Sequence, residues 1–113
     1  MFYDEAKMDC ESKNSYLIEP RTELLNELAT YVANSGEIWI GASDSVNEGR
    51  WVWQSDNARF TSADYDNWRD GQPNDSGTGQ DCATTSYDGL WGDIACSQVR
   101  PYICLIGARE STI

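Results

Sequence analysis

Four cysteines, at positions 10, 82, 96 and 104, limit what this 113-residue chain can fold into. No Cys-x-x-Cys pair and no histidine occurs, so the usual ligand sets of a structural zinc are missing. An even cysteine count in a short chain with five Trp and six Tyr points instead to two disulfides and an oxidising compartment. Three pairings are possible, and the expected one is nested. Cys82–Cys96 would close a loop of about 15 residues, worth about 3 kcal/mol in the chain-entropy description, and Cys10–Cys104 would staple the two ends, worth somewhat over ~4 kcal/mol.

The length gives one domain, 1–113, with roughly 65% of the unfolded surface available for burial. Hydrophobic residues make up 40% of the chain, a globular composition. Nineteen acidic residues against eight basic ones leave a net charge of −11, which would repel nucleic acid and anionic membrane surfaces. That surplus serves solubility, or some of its carboxylates await a cation. No apolar run approaches the ~18 residues of a membrane span. Residues 1–9 carry Asp4, Glu5 and Asp9 and no apolar stretch. Because disulfides require export, Met1 is expected to follow a removed signal, and the protein is expected to be secreted.

Asp4 is a candidate N-cap for a first helix over roughly 5–14, with Tyr3, Ala6 and Cys10 on one face. A second helix is expected from Pro20 to about Asn34, ended by Gly36. Leu24, Leu28, Tyr31 and Val32 follow the spacing of a buried stripe, and Glu19 and Glu23 suit the positive end of the helix dipole. Strands are expected over 37–41, 50–54, 82–85 and 102–106, with a turn at Asn47-Glu48-Gly49. The five Trp are read as core.

Between Ser55 and Gln80 the chain is polar and rich in Asp, Asn, Ser and Gly. A loop that long in a compact domain is functional or held by something outside the sequence, such as a metal. Its densest part is Gly71-Gln72-Pro73-Asn74-Asp75, running on to Gln80-Asp81-Cys82. It offers hard oxygen donors suited to calcium, and its proline between two amides invites a cis bond that would aim both side chains alike.

In order and spacing these motifs resemble the C-type lectin-like domain. The resemblance rests on Glu5-Ala6 with Cys10, Trp39-Ile40-Gly41, and Glu48-Gly49 with Trp51 and Trp53. It continues through Asn67-Trp68, Gly71 to Asp75 and Asp81-Cys82 in the long loop region, and through Trp91-Gly92-Asp93 with Cys96 and Ile103-Cys104 in the closing strands. It implies an α+β fold in which two helices flank small antiparallel sheets and carry a long calcium-binding loop region. The family has a first strand ahead of the first helix, pairing with the last. Only Phe2 and Tyr3 precede Asp4 here, so that edge is expected to be short or trimmed.

The resemblance implies two calcium positions. Carried over by residue, the first falls on Asp44, Glu48, Asp75, Gln80 and Asp81. Unneutralised, these carboxylates would repel one another, so loop order and calcium should be coupled. The second, where sugar-binding relatives ligate a diol through the ion, falls on Gln72, Asn74, Gln80 and Asp93. Gly92 stands where binders usually carry Asn, Gln80 replaces a usual Glu, and only Asp93 is charged, so this site is expected to be the weaker. Gln72-Pro73-Asn74 is a hybrid of the mannose-type and galactose-type tripeptides, with Gln72 leaning toward galactose. Tyr87 is weighed as a sugar-stacking residue against an ordinary strand position, which it fits better.

The expected function is calcium-dependent carbohydrate binding, with a glycoconjugate as partner and multivalency through a homo-oligomer as an option. The alternative is the same fold without ordinary sugar binding, recognising a protein, mineral or ice surface. Catalysis is not expected, since there is no histidine base and no free thiol.

Overall fold

The computed structural model describes residues 1–34, 36–44, 50–56, 58, 68–69 and 81–105. Glu48, Asn67, Gly71, Gln72, Pro73, Asn74, Asp75 and Gln80, all invoked above, lie outside that set, as does the turn at 47–49. Helix α1 spans Tyr3–Ser12 and buries Tyr3, Ala6 and Cys10, the face the spacing predicts. It starts ahead of the expected Asp4 cap because Glu5, in its first turn, reaches back to the Phe2 N–H at 3.0 Å. Its acids Asp4 and Glu5 lie at the positive dipole end.

Helix α2 spans Glu23–Ala33, beginning after Pro20 because Thr22 caps it, its Oγ1 accepting the Leu25 N–H at 3.2 Å. The left-handed residue that ends it is Asn34, at φ 56°, rather than the glycine two positions on. The expected buried stripe is overturned. Leu24 and Tyr31 are 76% and 83% exposed, with Leu28 and Val32 also at the surface, while Asn26, Ala29 and Ala33 face inward. Small side chains let the helix lie close on the sheet. The Asn26 carboxamide accepts from Trp91 Nε1 at 2.7 Å and donates to the Gly89 carbonyl at 3.0 Å. Glu19 is not a dipole partner either. It turns inward, where burial raises its pKa and the Ser55 hydroxyl and N–H, both at 2.8 Å, oppose that rise.

Strand β1 is Tyr16–Leu17, β2 Glu37–Ser43, β3 Val52–Trp53, β4 Cys82–Ser86, β5 Trp91–Ile94 and β6 Cys104–Leu105. A four-stranded antiparallel sheet runs β3-β2-β4-β5, and β1 pairs with β6 in a two-stranded one. The strand at 50–54 shortens to two residues, and β5 occupies a stretch that local pattern leaves unassigned but the family resemblance places among the closing strands. The last strand finds its partner after α1 rather than before it. The N-terminal residues are instead stitched to 96–100, with Tyr3 N–H on the Cys96 carbonyl at 3.1 Å and Arg100 N–H on that of Met1 at 3.1 Å.

The disulfides are the nested pair, Cys10–Cys104 and Cys82–Cys96. One core cluster holds Ile38, Ile40, Ala42, Ala83, Trp53 and Trp91 with α2; the other holds Tyr3, Ala6, Trp39 and the disulfides. Trp51, Trp68, Trp91 and Trp53 meet edge to face in series at 5.0, 5.7 and 5.7 Å, so the tryptophans pack as the sequence predicts. Gly41 carries a specific steric demand. A Cβ there would sit 3.0 Å from both Glu19 Cγ and the Leu17 carbonyl oxygen. Since backbone cannot yield cheaply, Gly41→Ala is expected to lower the unfolding free energy by about 1–3 kcal/mol in urea denaturation.

Candidate functional site

The site is built where β2 ends and β4 begins. Ser43 pairs with Cys82 across the sheet, and the next step is held by the Asp44 N–H donating to the Asp81 carbonyl at 3.0 Å. Asp44 and Asp81 are therefore opposite one another. Antiparallel partners project to the same face and successive residues alternate. Asp81 thus shares the face of Ala83, whose partner on β5 is Asp93. Residues 37 positions apart in the chain become neighbours through register alone, and Asp93 lies diagonally from Asp81 on the same face.

These carboxylates are shielded. Asp44 is 1% exposed and Asp93 3%. Asp81 Oδ1 is buried with no hydrogen-bond partner, an arrangement that costs about 1–3 kcal/mol or more for a charged group unless something neutralises it. Ser43, just before Asp44, is fixed by the Gln54 carboxamide on its hydroxyl at 2.9 Å, while the Gln54 N–H donates to the Gly41 carbonyl at 2.8 Å. Sequence spacing gave no signal for this brace, because only strand pairing brings Gln54 to Ser43.

The donor chemistry fits a hard cation, which takes six to eight oxygens, carboxylates prominent among them. Among the described residues no group of three or more Asp, Glu, Cys or His side chains gathers closely enough to hold a metal by itself. The other expected donors, Glu48, Gln72, Asn74, Asp75 and Gln80, fall outside the described residues. Of the two expected positions, the structure describes Asp44 and Asp81 for the first and Asp93 for the second. Gly92 lies on β5 opposite Thr84 and offers no side-chain oxygen.

Tyr87 is far from this end. Its neighbour Ser86 pairs with Glu37 at the start of β2, whereas Asp81 faces Asp44 at its close. Six residues of extended chain span about 20 Å, so Tyr87, 61% exposed in the β4–β5 turn, is neither a strand residue nor beside these carboxylates.

The chain resembles known proteins over nearly its whole length. The model of the lectin C-type domain matches residues 1–106. Hepatic lectin of Gallus gallus is 30% identical over 104 residues, covering 92% of this chain and 49% of that protein. The chain therefore spans about half of that relative. Among solved structures, the mouse scavenger receptor C-type lectin carbohydrate-recognition domain superposes with a TM-score of 0.81 at 32% identity, over 91% of this chain and 78% of that one. A calcium-independent type II antifreeze protein does so with a TM-score of 0.77 at 27% identity, over 92% and 77%. Helix pair, antiparallel sheets, nested disulfides and the 1–106 match agree: the chain belongs to the C-type lectin domain family.

Proposed function

We propose that this protein binds carbohydrate through calcium held at the β2–β4 end of the sheet, outside the cell and without catalysis. The observation that carries the reading is the shielded, unbonded Asp81 oxygen beside buried Asp44, on the sheet face that also bears Asp93. Asp44 and Asp81, with Glu48, Asp75 and Gln80, would hold the first ion. Gln72, Asn74, Gln80 and Asp93 would hold the second, each amide turning its oxygen inward and leaving its NH₂ for a sugar hydroxyl. Calcium, when bound, supplies coordination to two adjacent hydroxyls. Both amides offer donors, so the diol's own protons lack a protein acceptor, which weakens a monosaccharide by about 1–3 kcal/mol per unmet partner. Gln72 leans the choice toward galactose. With no histidine in the chain and all cysteines in disulfides, side chains suited to turnover are scarce.

The test is calorimetric titration with calcium and then with galactose and mannose series. Expected are calcium binding, sugar binding abolished by chelator, and at least a tenfold loss of calcium affinity in Asp81→Asn. Retention of no sugar at millimolar calcium would refute it.

A second reading has its own support. Gly92 removes one donor from the sugar position, and a structural neighbour is described as a calcium-independent antifreeze protein. The same face would then meet a protein, mineral or ice surface. Gly92→Asn with Gln80→Glu separates the readings: sugar binding that emerges only in the double variant favours the second.

A further inference from the structure

Helix α2 presents a second, unused face. Leu24, Leu28, Tyr31 and Val32 occupy one side, opposite the Asn26, Ala29 and Ala33 that pack on the sheet, and Leu24 and Tyr31 are 76% and 83% exposed. A shallow, open hollow beside its C-terminal end is lined by Thr30, Tyr31, Val32 and Asn34. Apolar surface concentrated on one helix face marks an interaction site more often than scattered surface residues do.

The charges around the stripe select the occupant. Glu23 and Glu27 lie on the helix, no Lys or Arg occurs from Glu23 to Ala33, and the last turn has no basic residue to meet its negative dipole end. The nearest cation in sequence, Arg21, is turned to Glu19 and Asp56 and over the Trp53 ring. A second copy suits this face poorly. Each copy carries −11, so two chains would repel one another across this face. Anionic lipid is repelled by the same charge.

We propose that the exposed face of α2 docks a basic amphipathic helix of a protein partner, its apolar anchors on Leu24, Leu28, Tyr31 and Val32, its Lys or Arg side chains on Glu23, Glu27 and the α2 C-terminus. Helix-on-helix recognition through i, i+4 and i+7 anchors is the corresponding binding mode. This face is independent of the calcium reading.

The probe is a synthetic amphipathic Leu/Lys helix of about 14 residues, titrated into the isotopically labelled full chain, with a scrambled peptide of equal composition as control. Amide shifts confined to 23–34 are expected, with affinity at least tenfold weaker in Leu24→Ser and Tyr31→Ser, surface changes that leave the fold intact. Glu27→Gln is expected to weaken binding and flatten its salt dependence. Equal binding of the scrambled peptide, shifts elsewhere, or no binding at millimolar peptide would overturn the proposal. So would self-association abolished by Leu28→Asp, or uptake onto phosphatidylcholine or phosphatidylserine vesicles in place of peptide binding.

Discussion

Replacing Cys10 and Cys104 together by serine is expected to lower the unfolding free energy by about 4–5 kcal/mol. The bridge spans 94 positions and ties α1 to β6. A loop of that size removes roughly this much conformational freedom from the unfolded chain. Small domains have about 5–15 kcal/mol in total, so the variant should be near the edge of stability and melt about 20 °C lower. The expected cost of opening Cys82–Cys96 is smaller, about 3 kcal/mol, because its separation is 14. Scanning calorimetry of both serine pairs checks the ranking. Equal losses would show that the terminal bridge does not act mainly on the unfolded state.

Asn26→Leu should be the most costly single change on α2, at about 3–5 kcal/mol. It removes two buried hydrogen bonds at once, the one from the Trp91 indole N–H and the one to the Gly89 carbonyl. Each lost buried bond costs about 1–3 kcal/mol, and a larger side chain must also enter a close helix–sheet contact. The expectation carries a signature beyond simple destabilisation. In a double-mutant cycle with Trp91→Phe, which removes the indole donor, the loss in the double variant should fall short of the sum of the two single losses by about 1–3 kcal/mol. Strict additivity in urea denaturation would mean that the Asn26–Trp91 bond contributes nothing.

That residue also shows where the sequence ceases to be legible. Helix spacing identifies a stripe on α2 but not which side meets the sheet. The larger apolar residues suggested Leu24, Leu28, Tyr31 and Val32, while the docked side is polar and small: Asn26, Ala29 and Ala33. Nothing in the local pattern announces that an asparagine will satisfy an indole 65 positions away. Local pattern alone does not reveal β5, because Trp91-Gly92-Asp93-Ile94 mixes a glycine and a carboxylate into a segment paired to β4; the family resemblance is what places it among the closing strands. By contrast, the buried face of α1 and the tryptophan core follow from spacing and from how little core a chain this short can build, and the nested disulfides are the expected one of three pairings that the sequence leaves open. For the candidate site, family resemblance named Asp44, Asp81 and Asp93. Their shared face is a property of strand register, which no spacing rule over 37 or 49 residues could give.

The central question is whether a cation completes that face. Scanning calorimetry of the metal-free chain titrated with calcium tests this directly. At a hundredfold excess over the dissociation constant, binding to the folded state alone contributes about 2.7 kcal/mol, a rise of about 10 °C in Tm for a domain of this size. The rise should be reversed by chelator and lost in Asp81→Asn. A Tm that stays the same in chelator and in millimolar calcium would contradict it.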